Sequence, residues 1–302
     1  MAGDKIKYKI AAVVVTFNRL QLLKHCIEAL RSQTYKLDEI IVVNNSSTDG
    51  TLEWLNEQKD LTVITQENSG SAGGQYTGIK TAFEKGYDLI WCMDDDCIAL
   101  TNAMEELVKD IEPNTVLNCL VLSKTNSDLL AFGLYDLSDR VFYSTLVQIG
   151  EKKTIDYASL FNGTLLPASL IKQIGLPIKE LFIKGEEIEY FHRIRKNGYS
   201  TKTIVSSQLF HPSPKLKLFN TALFNHRFEF LDKKRRFFRA KNFVYNFKTY
   251  RNFSARTFLK ILLLDIWGII FYQRNLSILF SNLKGLAAGL SANYKIEYPS
   301  TK

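Results

Sequence analysis

Apolar residues along the first hundred positions occur in short runs that are separated by polar or helical segments. The runs are rich in β-branched residues, and each predicts a buried strand: 9–15, Glu39–Val43, Leu61–Thr65 and Asp88–Met93. Between the first two runs, Leu22, Cys26 and Leu30 recur at helical spacing and predict a helix over Leu20–Gln33. This alternation predicts an α/β fold, with a mainly parallel sheet flanked by helices.

A polar or glycine-rich segment follows each predicted strand. These segments are Thr16–Arg19, Asn44–Gly50, Asn68–Gly74 and Asp94–Asp96. Because the carboxyl ends of parallel strands lie at one edge of a sheet, where ligands bind, we expect the four segments to form one site. Residues Gly70 to Gly74 are predicted to be a loop, with a helix beginning at about Gln75.

The pattern changes in the second half of the chain. Residues 116–155 predict short strands mixed with turns, and the segment beyond Pro214 is basic and aromatic, with helical periodicity and no clear strand. We therefore predict one α/β domain over residues 1–215 and an α-helical appendage over residues 216–302.

Three adjacent aspartates, Asp94 to Asp96, follow the fourth predicted strand. Their mutual repulsion must be offset, and carboxylate oxygens suit a hard divalent cation such as Mg²⁺ or Mn²⁺. A solvated acidic turn is the alternative interpretation of such a run. The position of the run after an apolar strand, beside a glycine-rich segment, favours the metal site.

The composition is that of a folded protein, with 46% apolar and 23% charged residues among 302. The four cysteines lack the spacing of metal ligands, and no segment has the form of a signal peptide, so a cytoplasmic protein with reduced thiols is expected. The first strand is followed by Thr-Phe-Asn-Arg instead of Gly-x-Gly-x-x-Gly. This argues against a dinucleotide-dependent oxidoreductase.

The formal net charge of +8 is concentrated in one block. Residues 233–260 contain ten Lys or Arg and no acid, interleaved with eight Phe or Tyr. Such a block is typical of contact with nucleic acid, an anionic membrane or a phosphate-bearing acceptor, or of a solvated helix face. The apolar segment Leu259–Tyr272 is too short to span a membrane and predicts an interfacial helix, or a helix of a dimer or core.

The motifs together resemble those of a known family. Four segments, 13–19, 42–51, 68–74 and 93–96, resemble family 2 glycosyltransferases of the Rossmann-like GT-A fold in order and spacing, over about the first two-thirds of the chain. The Gly-Gly pair after Ala72, with the triple Asp, is similar to that of bacterial galactofuranosyl- and rhamnosyltransferases.

The resemblance implies a role for each matched residue. The nucleotide sugar would be bound by Thr16, Phe17, Asn18, Arg19, Asn44, Asn68, Gly70, Gly73, Gly74, Asp94 and Asp95. Asn44 stands where many relatives have an Asp that reads uracil. Asp96 would bind Mn²⁺ or Mg²⁺, and His211 would complete metal or diphosphate binding, although a lone histidine can also be structural. Asn162 and Gly163 would lie on the acceptor side.

A second acidic pair, Glu186 and Glu187, opens a predicted helix that Gly198 ends. Carboxylates at a helix N-terminus stay ionised because the helix dipole favours negative charge. In relatives the second acid of the corresponding pair is the base that deprotonates the acceptor hydroxyl, which implies Glu187. The longer reach of Glu leaves Glu186 as a competitor.

The resemblance implies an inverting, metal-dependent glycosyltransferase of cell-surface polysaccharide synthesis. Its donor would be a UDP-sugar such as UDP-galactofuranose, or dTDP-rhamnose, and its acceptor a glycan or lipid-linked glycan. We expect it at the inner face of the cell membrane, held peripherally by an anionic surface, with no nucleic acid as partner and with a homodimer as a further expectation. The alternative is a nucleic-acid- or membrane-binding protein that uses the basic block and carries a non-catalytic transferase-like domain.

Overall fold

The computed structural model describes residues 7–214, 216–220 and 225–300. These residues form two compact units. The first unit contains the described residues up to Glu180, Arg193–Ser213, and the described residues from Ile296 onward; the second contains Leu181–His192 and the described part of Pro214–Lys295. The division at Ser213 lies two residues from the predicted boundary at residue 215. The segment Leu181–His192 also belongs to the second unit, although it precedes that boundary.

The strands of the described chain alternate with helices in its first hundred residues. The strands are β1 (Ile10–Thr16), β2 (Glu39–Asn44), β3 (Leu61–Thr65), β4 (Leu89–Asp94), β5 (Ile98–Ala99), β6 (Thr115–Ser123), β7 (Asn126–Asp136), β8 (Val141–Thr145), β9 (Thr154–Ile155), β10 (Asn162–Pro167), β11 (Ser200–His211), β12 (Leu216–Asn220) and β13 (Asn225–Glu229). The helices are α1 (Leu20–Arg31), α2 (Thr51–Asn56), α3 (Gly70–Glu84), α4 (Ala103–Lys109), α5 (Leu146–Ile149), α6 (Ala168–Ile174), α7 (Glu186–Lys196), α8 (Lys233–Tyr250), α9 (Ala255–Gly268) and α10 (Leu276–Ser291).

The four strands predicted from the apolar runs are neighbours in one sheet, in the order β3-β2-β1-β4, and all are parallel. The order continues as β10-β6-β11-β5, in which β10 is antiparallel to both of its neighbours. The register aligns Thr16 with Asn44, and Val15 with Asp94. The polar segments that follow the strands therefore begin side by side, as expected for ligand-binding parallel sheets.

The residues of β1 are buried on both of its faces, because helices cover both sides of the sheet there. Ala12 and Val14 pack in one core cluster with Leu23 and Ile27 of α1. On the other face, α3 approaches so closely that a Cβ atom added to Gly78 would lie 2.2 Å from Val13 Cγ1. The result is a layer of helices on each side of the sheet, as the alternating pattern predicts.

The segment over residues 116–155 is more regular than its sequence predicts. β6 is nine residues long and buried throughout, between β10 and β11 in the sheet. β7 and β8 form an antiparallel ribbon beyond it. Burial on both faces removes the polar alternation that would have marked β6 as a long strand.

Glycines bring two helices of the second unit together. A Cβ atom at Gly285 of α10 would lie 2.3 Å from the carbonyl oxygen of Phe237, and one at Gly289 would lie 2.4 Å from that of Lys241. Both carbonyls belong to α8. Two glycines four residues apart thus form a groove on α10 that admits the backbone of α8.

The second unit also contains a hairpin, β12 with β13, where the sequence predicted helix alone. Phe228 of this hairpin is buried, and the Phe219 ring stacks on Tyr272 with centroids 3.5 Å apart. The alternating residues Leu216–Asn220 have the period of a strand, but this signal is short beside the basic helical pattern that follows it.

Part of the basic block serves the interior of the second unit. Arg236 is fully buried; its Nη1 lies 2.7 Å from Asp265 Oδ1, and its Nη2 donates to the Glu229 carbonyl at 2.7 Å. Arg239 also pairs with Asp265. The positive charge that remains for an external partner is therefore smaller than the sequence count indicates.

Helices long and apolar enough to cross a membrane do not occur among the residues that the structure describes.

Candidate functional site

The acidic run lies at the end of β4 in the first unit. Asp95 and Asp96 are buried, with 2% and 8% of their surfaces exposed. Thr16 Oγ1 donates to Asp95 Oδ2 at 2.8 Å, and Arg19 Nη1 donates to Asp95 Oδ1 at 3.1 Å and to Asp96 Oδ2 at 2.7 Å. The segment after β1 thus supplies a hydroxyl and a guanidinium to the run after β4, so these two predicted segments meet.

His211, the last residue of β11, joins the same cluster. Its Nε2 lies 3.0 Å from Asp96 Oδ1, and its Nδ1 lies 2.6 Å from the Pro212 carbonyl oxygen. A carbonyl can only accept, so Nδ1 carries a hydrogen. In the neutral ring the Nε2 lone pair then faces a carboxylate oxygen. This arrangement requires either a proton or a cation at Nε2.

The charges of this cluster shift its pKa values. Burial and repulsion from Asp96 and Asp95 raise the pKa of Asp94 to about 7, and burial raises the pKa of Asp95 to about 6. Burial also acts to raise the pKa of Asp96, but the hydrogen bond to His211 and the charge of Arg19 outweigh it and hold that pKa below its ordinary value. Asp94 is therefore partly protonated at neutral pH when no cation is bound.

The donor atoms of this cluster fit a hard divalent cation. Single ligand atoms of Asp96, Cys97 and His211 lie within 4.8 Å of one another. Burial raises the pKa of the Cys97 thiol well above its ordinary value, so the sulfur stays protonated and is a poor ligand. Asp94 Oδ1 is buried and, within the described ranges, has no hydrogen-bond partner. Carboxylate oxygens and the His211 imidazole are the groups that suit Mn²⁺ or Mg²⁺.

The segment after β1 is tied to the segment after β2. Asn18 has a left-handed backbone, with φ of 53°. Its Oδ1 accepts from the Thr48 N–H at 2.7 Å, and its own N–H donates to Ser47 Oγ at 2.9 Å. Phe17 is 43% exposed. The aromatic ring of Phe17 is therefore available for stacking, while Asn18 has a positioning role within the protein.

Asn44 is fully buried at the end of β2. Its Oδ1 accepts from the Ser47 N–H at 3.0 Å, and its Nδ2 has no hydrogen-bond partner among the described residues. Asn45, which the sequence reasoning did not single out, connects the second and third segments. Its Nδ2 donates to the Gly70 carbonyl at 3.1 Å, and its Oδ1 accepts from Gln66 Nε2 at 2.8 Å.

The glycine-rich segment is helical, not a loop. Helix α3 begins at Gly70, five residues before the predicted start, and Asn68 Oδ1 accepts from the Gly70 N–H at 3.0 Å. A Cβ atom on Gly73 would lie 2.1 Å from Ser69 Oγ, and one on Gly74 would lie 2.3 Å from Val15 Cγ1. Because Gly74 lacks a side chain, α3 can pack against β1. This packing outweighs the low helix propensity of glycine.

Asn162 and Gly163 lie at the start of β10, beside the end of β4. Asn162 is aligned with Met93, and its carbonyl accepts from Asn118 Nδ2 at 3.3 Å. Gly163 has φ of +79°, and a Cβ atom there would lie 2.4 Å from Leu209 Cδ2. Both residues are thus next to the acidic run, and Gly163 is required by its backbone and its packing.

The second acidic pair opens α7 in the second unit. Glu186 is buried, with 5% exposure, whereas Glu187 is partly exposed and accepts from the Gly185 N–H at 2.9 Å. Glu189, also buried, accepts from the Tyr250 hydroxyl at 2.5 Å. Glu187 is the most accessible of these three carboxylates.

Two asparagines of α8 fix the segment that leads into this pair, and the sequence reasoning missed them. Asn246 Nδ2 donates to the Gly185 carbonyl at 2.9 Å. Asn242 Nδ2 lies within hydrogen-bond distance of three carbonyl oxygens, those of Leu181, Ile183 and Lys184, at 2.9, 3.0 and 3.0 Å. The only signal in the sequence was two asparagines four residues apart, on one face of a basic helix.

The fixed segment has a strained backbone. Phe182, Lys184 and Gly185 have φ of 66°, 63° and 116°. A Cβ atom on Gly185 would lie 2.9 Å from Cβ of Asn242. Non-glycine residues in the left-handed region persist only where the surroundings hold them, and they are frequent at functional sites.

Two solved structures have the same fold as this chain. The crystal structure of GalNAc-T7 with UDP, GalNAc and Mn²⁺ matches with a TM-score of 0.60 at 14% identity, over 91% of this chain and 58% of that one. The mannosyltransferase PcManGT from Pyrobaculum calidifontis, in complex with GDP-Man and Mn²⁺, matches with a TM-score of 0.50 at 18% identity, over 96% of this chain and 77% of that one. The predicted GT-A class, an α/β fold with C-terminal helices, is confirmed.

Sequence comparison identifies the family. Residues 11–164 match glycosyl transferase family 2. The galactofuranosyltransferase GlfT1 of Mycolicibacterium smegmatis is 31% identical over 213 residues, which cover 67% of this chain and 70% of that protein. GlfT1 of Mycobacterium tuberculosis is also 31% identical, over 218 residues with the same coverage. The chain therefore belongs to glycosyl transferase family 2, as its motifs predict, and is a glycosyltransferase.

The role of Asn242 can be tested by substitution. Asn242→Ala removes the donor shared by three carbonyls, so we expect the free energy of unfolding to fall by about 1–3 kcal/mol. Hydrogen exchange at the Gly185 amide should become faster. Thr249→Ala, at an exposed position of the same helix, is the control. Equal urea denaturation midpoints for the two variants would contradict the positioning role.

Proposed function

We propose that the chain is an inverting, metal-dependent transferase that moves a sugar from a nucleotide diphosphate donor to a hydroxyl of a glycan or lipid-linked glycan. The observation that carries the proposal is the pair of Asp96 and His211, with Oδ1 and Nε2 3.0 Å apart and Nδ1 held by a carbonyl. In a metal site that arrangement leaves Nε2 as the ligand atom. Asp96 and His211 would hold the cation, with Asp94 beside them.

The donor is proposed to bind across the ends of β1, β2 and β4. Phe17 would stack on the base, and Asn44 would read it through the amide group that lacks a partner. The N-terminus of α3 would face the diphosphate, because the N–H groups of a first helical turn and the helix dipole favour anions. Asp94 would contact the ribose and Asp95 the donor sugar. Similarity to two galactofuranosyltransferases favours UDP-galactofuranose over dTDP-rhamnose.

In the proposed reaction the acceptor oxygen attacks the anomeric carbon, and the bond from that carbon to the diphosphate oxygen breaks. Glu187 accepts the proton of the acceptor hydroxyl. A bound divalent cation supplies positive charge to the departing diphosphate. Arg19, held by two aspartates, adds a second positive charge at the same edge of the sheet. Attack on the face opposite the leaving group inverts the anomeric configuration.

The metal site is tested by calorimetry with UDP, with and without Mn²⁺. Asp96→Asn and His211→Ala should each weaken Mn²⁺-dependent UDP binding by about tenfold or more, because each removes a ligand. His25→Ala, which alters an exposed histidine of α1, is the matched control and should bind as the wild type does. Identical UDP affinity with and without metal in the wild type would exclude Asp96 as a ligand.

The base is tested by separating binding from turnover. Glu187→Gln should retain Mn²⁺-dependent UDP binding and lower kcat by about 10²-fold or more, since the amide cannot accept the proton. Glu186→Gln is the comparison, because that side chain is buried. Wild-type turnover in Glu187→Gln, or a larger loss in Glu186→Gln, would transfer the role to another residue.

We further propose that the second unit binds an anionic membrane surface from the cytoplasmic side. Large apolar side chains are exposed along α9 and α10; they include Leu259, Leu263, Trp267, Leu276, Phe280, Leu283 and Leu290, with Leu276 72% exposed. Exposed cations lie on the same helices, at Arg256, Lys260 and Lys284. Apolar helix faces bordered by cations are typical of interfacial binding, whereas nucleic acid offers no partner for the exposed leucines.

Membrane binding is tested by sedimentation with vesicles of phosphatidylglycerol and phosphatidylcholine. The double substitution of Arg256 and Lys260 by Glu should reduce the fraction bound to anionic vesicles severalfold, because each cation near such a surface contributes about 1 kcal/mol. Lys36→Glu, at an exposed position of the first unit, controls for net charge. Unchanged sedimentation, with dimers seen by ultracentrifugation, would assign the apolar faces to a homodimer.

A further inference from the structure

The second unit contains a cavity of about 430 Å³, and the candidate base Glu187 is part of its wall. Cavities of this size hold small ligands or portions of larger ones. Glu186, its competitor, does not line the cavity. The accessible carboxylate and the cavity therefore occur together.

The charged groups of the cavity are paired, with one exception. Glu229 lies 2.7 Å from Lys184 Nζ, and Asp265 pairs with Arg239. Glu187 is the remaining carboxylate of the lining, and it has no cation within ion-pair distance in the described part of the chain. An uncharged ligand with a hydroxyl group satisfies this carboxylate without disturbing the two ion pairs.

Apart from the charged groups and the amides of Asn246 and Asn252, the side chains that line the cavity are apolar. Phe243, Phe253, Ile261 and Leu262 line the cavity, and they come from α8, α9 and the segment between them. The Phe243 ring stacks on Phe258, with centroids 5.0 Å apart, so its position is fixed by packing. A preformed apolar wall favours hydrocarbon over the many hydroxyl groups of a free oligosaccharide.

We propose that this cavity binds the apolar aglycone of the acceptor and that the sugar attached to it presents its hydroxyl to Glu187. The acceptor class is thus a glycoside with a hydrocarbon chain. The inference rests on the proposed function only for the role of Glu187 as base. A hydrocarbon chain could come from the lipid carrier of a glycan or from the acyl chain of a bilayer lipid. Only the lipid carrier has a sugar attached, so a probe with a sugar distinguishes the two sources.

The probes are octyl β-glucopyranoside below its micelle-forming concentration, methyl β-glucopyranoside and octanol, with binding measured by calorimetry on the full chain. We expect the octyl glycoside to bind about tenfold or more tightly than the methyl glycoside, because its methylene groups leave water. It should also bind more tightly than octanol, and Glu187→Gln should remove that advantage. Equal affinity for octanol and the octyl glycoside would overturn the assignment to a glycoside.

The cavity is tested by filling it. Leu262→Trp should weaken binding of the octyl glycoside about tenfold or more, since the indole occupies the space of the chain. Thr249→Trp is the control, because this position of α8 is exposed and does not line the cavity. Ile261→Ala, which removes wall contacts without adding bulk, replaces Leu262→Trp if circular dichroism shows that the latter does not fold. Equal effects of the cavity and control variants would overturn the inference.

Mn²⁺-dependent UDP binding, measured on the same samples, separates the two proposals. If UDP binds with metal while the octyl glycoside fails to bind, the cavity assignment is wrong and the donor site stands. If the octyl glycoside binds at the cavity while UDP shows no metal dependence, the proposed reaction is wrong and the apolar site stands.

Discussion

Repulsion among three aspartates is the constraint around which the first unit is organised. Burial makes the repulsion stronger, because the field of each carboxylate is poorly screened. The guanidinium of Arg19 and the imidazole of His211 together supply at most two positive charges against three negative ones. The sheet must therefore bring the end of β1 and the end of β11 to the end of β4, although these strands are far apart in sequence. In the proposed function, a divalent cation would supply the positive charge that the protein lacks.

The parts that could be predicted from sequence are those with a strong local signal. Apolar runs marked the four parallel strands, and topology then required the segments after them to meet, as Thr16, Arg19 and Asp95 do. The start of α3 could not be predicted, because glycine disfavours helix in isolation and the packing of Gly74 on Val15 is a tertiary effect. Asn242 was missed for a similar reason. Its partners lie about sixty residues earlier, and neither segment identifies the other.

In the second unit, side-chain hydrogen bonds hold the segment that leads into the candidate base. The candidate base directly follows a short segment with left-handed residues, which would relax if nothing held it. The holding groups are amide side chains of α8, and they bind backbone carbonyls, so the sequence of the held segment can vary while its shape is kept. The same helix contributes to the apolar cavity and packs through its backbone on α10. Helix α8 thus both supports the segment that leads into the candidate base Glu187 and forms part of the cavity beside it.

Gly74 and Gly78 limit which parts of the protein can change by substitution during evolution. Because neither glycine has a side chain facing β1, the distance between the N-terminal half of α3 and the sheet is set by the backbone of the helix. Under the proposed function, the end of that helix that would face the diphosphate therefore keeps its position when residues around it are substituted. Differences in the donor sugar would then arise in the adjoining segments, whose side chains can change without moving that end of the helix.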